Sequence, residues 1–215
     1  MSPRPQIDHI RKPQILAAAA EVVAERGVAA TRIADVAKLA GTSAPAVLYW
    51  FESKDRMLVE ALGFAEERFY TELAERLEAL ETPGERLRLL IEASAAAHDW
   101  TLWMEMWTWA LRDAASSEAR RALDERWRRE IERQVADGQR RGEFDRSDPP
   151  ERVAMILAAL IDGLAVQATL RDPAMPAARM LELSLEIAER LVGAKLPELD
   201  RARDQGERAL LAGGG

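Results

Sequence analysis

The stretch DWTLWMEMWTWALRD, residues 99–113, holds four of the chain's six tryptophans with two methionines between them. Wound as a helix, it puts Trp100, Trp103, Met104, Trp107 and Leu111 on one face and Leu102, Met106, Trp109 and Ala110 on another. Indole rings and thioethers make an adaptable, polarizable wall, and the chemistry open to such a wall is capture of an apolar ligand. With Asp99 and Glu105 nearby, the same wall suits an apolar cation. The bland alternative is that the rings fill a core and that Glu105 pairs with Arg112 or faces water. Trp103 and Trp107 are the leading ligand-binding candidates, with Met104, Phe69 and Trp127 beside them.

Catalytic constellations are missing from the chain. Its two histidines are His9 and His98, it has no cysteine, and it shows no phosphate-cradling glycine loop and no paired Glu-x-x-His. The pair His98-Asp99 has no accompanying nucleophile, so the chain is predicted to be no enzyme, with no metal and no cofactor. Lack of cysteine excludes disulfides and thiolate sites and suits a reducing cytoplasm. No apolar run follows the N-terminal basic residues, and no uninterrupted apolar stretch reaches spanning length, so a soluble cytoplasmic protein without a membrane partner is expected. The formal net charge of -7 is uneven. Residues 1–60 hold eight Lys/Arg against seven Asp/Glu, and the other 155 residues hold 22 against 30. A slightly positive head on an acidic body orients toward nucleic acid.

That head contains TRIADVAKLAGTSAPAVLYWFESKD, residues 31–55. Thr31 can cap a helix whose Ile33, Val36, Ala37 and Ala40 recur at helical spacing. Gly41 permits the positive φ of a sharp corner. Ser43 can cap the next helix by accepting from the Ala46 amide, and Pro45 sits near an N-terminus that has no use for its missing donor. Val47, Leu48 and Phe51 are then predicted to pack inward, and Ala44, Pro45, Ala46, Tyr49 and Trp50 to face outward. Helix, short glycine turn, helix is the geometry that places a second helix in a DNA major groove.

At these residues the chain resembles the TetR family of one-component transcriptional repressors. The resemblance lies in the capping Thr31, V-A-x-x-A-G, x-S, the small-residue second helix, the aromatic pair, F-x-S-K-D, and a preceding helix that ends at Arg26-Gly27. It implies phosphate contacts from Thr31, Ser43, Tyr49 and Lys54 and base-edge contacts from Ala44, Pro45 and Ala46; Arg32 and Trp50 complete the predicted DNA-binding set. The family often has Thr where Ala46 stands and Tyr where Leu48 stands, so two polar contacts are replaced here.

Around the head, residues 1–12, with Arg4, Arg11 and Lys12, read as a loose arm, and 13–26 as a bracing helix. A long connector helix, 53–80, follows, with Leu58, Leu62, Phe69, Leu73, Leu77 and Leu80 inward. Helices are further predicted at 85–98, 116–141, 150–170 and 176–192. LELSLEI alternates like a strand but has helical flanks and no partner strand. The last two helices carry more apolar surface than one core needs, which predicts a four-helix interface between two copies through Met155, Ala159, Gly163, Gln167, Met180, Ser184, Ile187 and Leu191. W-x-x-W-M-E-M-W…A-L-R-D, G-x-x-x-G-E-F and L-I-D-G-L extend the resemblance over the ligand-binding half, to about residue 192.

The sequence therefore predicts an all-α protein. A three-helix helix-turn-helix DNA-binding domain (1–52) is followed by a larger ligand-binding and dimerisation domain (53–195) and a tail (196–215). Its partners would be operator DNA, a second copy and a small-molecule effector. The competing reading is a helical protein-interaction module without sequence-specific DNA binding.

Overall fold

The computed structural model describes residues 5–96 and 100–199. Arg4, His98, Asp99 and the tail from 200 onward lie outside the described residues, as does the His9 side chain. Among the described residues there are helices and turns and no strand: α1 (Pro5–Ala30), α2 (Ile33–Leu39), α3 (Ala44–Phe51), α4 (Lys54–Glu78), α5 (Pro83–Ala96), α6 (Trp100–Ala110), α7 (Ala114–Arg141), α8 (Pro150–Thr169) and α9 (Ala177–Val192). The LELSLEI segment is helical, inside α9.

The chain packs into two compact units. The first comprises Met1–Arg76 and Ala97–Arg126, the second Leu77–Ala96 and Trp127–Gly215. In the first, Ile15, Ala19, Val22 and Val23 of α1 enclose a core with Val36, Val47, Phe51, Met57, Leu58 and Met106. The predicted bracing helix is longer than its apolar stripe: α1 begins at Pro5 and carries Pro13 inside it. The expected loose arm is thus helical from Pro5. Lys12 helps hold it, pairing with Glu60 at 2.6 Å and lying 5.4 Å from the centre of the Phe51 ring.

Helix α1 is broken near its end by Gly27, with φ 75° and ψ 162°. An L side chain essentially never takes that conformation, so the glycine is what allows the chain to turn there.

In the second unit α9 packs on α8 and α5. A reciprocal cap starts α5: the Glu85 amide donates to Thr82 Oγ1 at 3.2 Å, and the Thr82 amide donates to Glu85 Oε2 at 2.9 Å. After α7, Phe144 folds onto Gly138 so closely that a β-carbon there would meet the ring at 2.1 Å. The charged face of α7 is laced with ion pairs, such as Arg133 to Glu130 at 2.7 Å and Arg141 to Asp137 at 3.1 Å.

Helix α8 is the most apolar long helix, with mean hydropathy 1.5 over an 18-residue window, and by length and composition alone it could cross a membrane. No apolar stretch of that length is expected from the sequence; Glu151, Arg152 and Asp162 interrupt the run, yet the helix as a whole meets the length and composition. Its surplus is one outward face. Met155 (63% exposed), Ala159, Gly163 and Gln167 lie there, with Ile156 and Leu170. On α9 the prediction needs correction. Met180 is 2% exposed and Ser184 is buried, its hydroxyl donating to the Met180 carbonyl at 2.8 Å. Positions 180, 184, 188 and 192 form the stripe packed inside the unit, so the first two are unavailable to a second copy; Ile187 and Leu191 on its flank are half-buried.

Candidate nucleic-acid interface and effector site

Helix α3 is fixed in the head by a cap at its start and by burial along one side. Ser43 Oγ accepts from the Ala46 amide at 3.3 Å, Pro45 lies in the first turn, and Val47 and Phe51 are buried. Gly41, with φ 63°, makes the corner from α2, and the Thr42 amide closes it by donating to the Ala37 carbonyl at 2.8 Å. On the free side Pro45 is exposed and Tyr49 is 82% exposed. Ala44, Ala46 and Trp50 are half-buried; Ala44 and Trp50 also pack on the core, and the Trp50 ring meets Tyr49 edge-on at 6.0 Å.

Three expectations change. Thr31 does not cap α2: Arg32 holds the N-cap position without a side-chain bond. The Thr31 hydroxyl instead donates to the Gly27 carbonyl at 2.8 Å, and at 1% exposure the residue is out of reach of a phosphate. Arg32, next to it, is exposed. Leu48, expected inward, is 44% exposed, because the buried line of so short a helix runs through positions 47 and 51 alone. Lys54 is half-buried, and its Nζ donates to the Val28 carbonyl at 2.8 Å, which leaves two N–H groups for another acceptor. Leu39 and Lys38 at the end of α2 are exposed and were missed, since their position past the buried stripe carries no sequence signal.

Helix α6 keeps the two faces read from its sequence. Leu102 and Met106 are buried in the first unit's core, with Trp103 and Trp109 packed against its edge. Trp100 and Trp107 lie with ring centres 6.4 Å apart and planes tilted by 60°. Trp103, Met104 and Trp107 are half-buried, as is Phe69 on α4, whose ring meets Tyr70 edge-on at 5.5 Å. Trp127, also half-buried, begins the second unit. Leu111 falls beyond the helix end and is exposed, so it leaves the tryptophan face. Glu105 is placed elsewhere than expected: its carboxylate approaches Gly27, 4.0 Å from where a β-carbon would stand. Among the described residues no group of three or more potential metal ligands gathers.

Comparison with known proteins agrees with this arrangement. The family description "Bacterial regulatory proteins, tetR family" matches residues 15–61, and "BetI-type transcriptional repressor, C-terminal" matches residues 83–193. The HTH-type transcriptional regulator BetI of Rhizobium meliloti is 27% identical over 199 residues, covering 90% of this chain and 93% of that protein. Among solved structures, a transcriptional regulator from Saccharomonospora viridis in complex with choline superposes with a TM-score of 0.78 at 26% identity, covering 84% of this chain and 96% of the other. A TetR transcription regulator from Haloarcula marismortui gives 0.75 at 26% identity, covering 88% and 100%. A helix-turn-helix head matched by one family description and a helical remainder matched by the other leave one conclusion: the chain belongs to the TetR family of transcriptional regulators, with a C-terminal part of the BetI repressor type.

Proposed function

We propose that two copies of the chain read a pseudo-palindromic operator and release it when each binds a small apolar cation of the quaternary-ammonium kind. The exposed face of α8 provides the contact between copies, through Met155, Ala159, Gly163 and Gln167 with Ile187 and Leu191 of α9 at its flank. The heads then enter successive major-groove faces about 34–36 Å apart. Pro45, Ala44 and Ala46 offer apolar contact suited to thymine methyl groups, and Leu48 adds to it. Ser43, whose hydroxyl proton stays free when its oxygen accepts from Ala46, Tyr49, Arg32 and the two remaining N–H groups of Lys54 hold phosphates.

The observation that carries the effector reading is the tilted Trp100–Trp107 pair on a half-exposed face, with Trp103 beside it. Indole faces at such an angle attract a methylated ammonium without a directional donor. Glu105 is set aside as counter-charge because it approaches α1. The choline bound by the Saccharomonospora viridis regulator favours the same chemistry. Release requires that the cation bind the wrongly spaced dimer more tightly than the DNA-competent one.

Selection of genomic fragments by the purified protein at physiological salt should recover a palindrome. Choline should quench tryptophan fluorescence and loosen the recovered operator, and its uncharged carbon analogue 3,3-dimethylbutanol should do neither. Equal responses to the two would remove the cation from the reading, and absence of any enriched fragment would remove the operator.

A further inference from the structure

We propose that α3 reads the C5-methyl group of a pyrimidine and not the base that carries it, with Leu48 as the specificity-determining residue. Thymine and 5-methylcytosine are then equivalent to this helix, and operator binding responds to cytosine methylation. The inference rests on the operator reading above and narrows it to one recognised group.

The face that α3 offers is apolar along both its turns. Pro45, Leu48 and Tyr49, three and four residues apart, share one side of the helix, and all three are exposed. Val47 and Phe51 supply the buried side of the same helix, which leaves Leu48 to the solvent. An apolar side chain held out there gains when a methyl group is laid against it and both leave water. The hydrogen at C5 of uracil or of unmodified cytosine leaves that contact empty.

The groups that tell bases apart are missing from this face. In the major groove Arg or Lys reads guanine, Asn or Gln reads adenine, and Glu or Asp accepts from the amino group of cytosine. The α3 sequence APAVLYWF contains none of these residues. The carboxylates that flank it in sequence are engaged, Asp35 with Arg26 at 3.2 Å and Glu52 with Arg56 at 3.0 Å. The Tyr49 hydroxyl both donates and accepts, so it suits a phosphate or any base. With no acceptor for the cytosine amino group and no donor fork for guanine, α3 cannot separate thymine from a cytosine bearing the same methyl.

The operator selected with ordinary DNA is copied with uracil in place of thymine, and both are titrated with the full-length protein by mobility shift. Uracil keeps the pairing and removes only the methyl. Affinity should fall about three- to fivefold for each methyl lost beneath α3. At the most sensitive pair, 5-methylcytosine opposite guanine should bind within about twofold of thymine opposite adenine, and unmethylated cytosine about as weakly as uracil. Leu48→Ala, a change at an exposed position that leaves the head folded, should bring thymine and uracil to equal affinity at that pair. Lys54→Met, which removes the bond to the Val28 carbonyl, should weaken both alike and keep their ratio. Equal binding of the thymine and uracil operators would overturn the proposal. So would a methyl preference unchanged in Leu48→Ala, or methylated cytosine binding no better than bare. Each of these leaves the operator reading standing, whereas failure of ordinary DNA to yield an operator would overturn both.

Discussion

Lys54 Nζ donates to the Val28 carbonyl at 2.8 Å, joining the start of α4 to the chain just beyond the Gly27 break. The Thr31 hydroxyl donates to the Gly27 carbonyl in the same corner, so two side chains reinforce carbonyls that otherwise share a single amide, that of Thr31, at 3.2 and 3.3 Å. Replacing Lys54 by Met leaves the Val28 carbonyl without its charged donor. The expected loss is about 1–2 kcal/mol of unfolding free energy in a urea titration. Operator affinity should fall for all fragments alike, as seen by mobility shift, because a lost brace carries no base information.

Gly27→Ala tests the corner itself. Room is not limiting, since the nearest atom is 4.0 Å from the added carbon. The cost is conformational, about 1–3 kcal/mol for holding an alanine at φ 75° and ψ 162°. A melting temperature equal to that of the parent would show that the chain turns there by some other route.

Tyr49 and Phe51 should separate binding from folding within one short helix. Tyr49 is almost fully exposed and Phe51 fully buried. Tyr49→Ala is expected to leave the melting temperature unchanged within a degree or so and to weaken operator binding. Phe51→Ala is expected to cost about 3–5 kcal/mol and to lose DNA binding through unfolding of the head.

On α8 and α9, exposure predicts opposite outcomes for two methionines. Met155→Asp puts a charge on the outward face and should shift the chain toward monomer in sedimentation without unfolding it. Met180→Ala empties a packed position and should cost about 2–4 kcal/mol even in the monomer. Dissociation by the second substitution at unchanged subunit stability would reverse the assignment.

The end of the second unit should respond to acid. Burial raises the Glu189 carboxyl pKa, but donation from Lys195 and from the Leu196 amide, with the charges of Lys195 and Arg88, outweighs it and holds the group below its ordinary 4.5. A carboxyl so lowered stabilises the fold above about pH 4.5, and that contribution disappears as pH falls through the lowered value. Glu189→Gln should therefore destabilise the protein at neutral pH and flatten the loss of stability below pH 4.5, as read by melting temperature against pH.

Much of this arrangement was legible from spacing alone. Ser43, Pro45 and Gly41 announce the head because caps and turns are local chemistry, decided by residues three or four apart. The two faces of α6 follow from the helical period in the same way. What spacing leaves open is which partner each face meets. Thr31 reads as a cap, and only the break at Gly27 turns its hydroxyl backward into a buried bond. Lys54 reads as a surface cation, yet its acceptor lies 26 residues away. Met180 and Met155 carry equally apolar side chains, and only packing against α5 and α8 or its absence tells the core stripe from the free one. A cavity walled by Leu62 and Gly63 of α4, Met106 and Trp109 of α6 and Leu123 of α7 arises from three helices remote in sequence, because empty space is a property of packed side chains and no single segment encodes it.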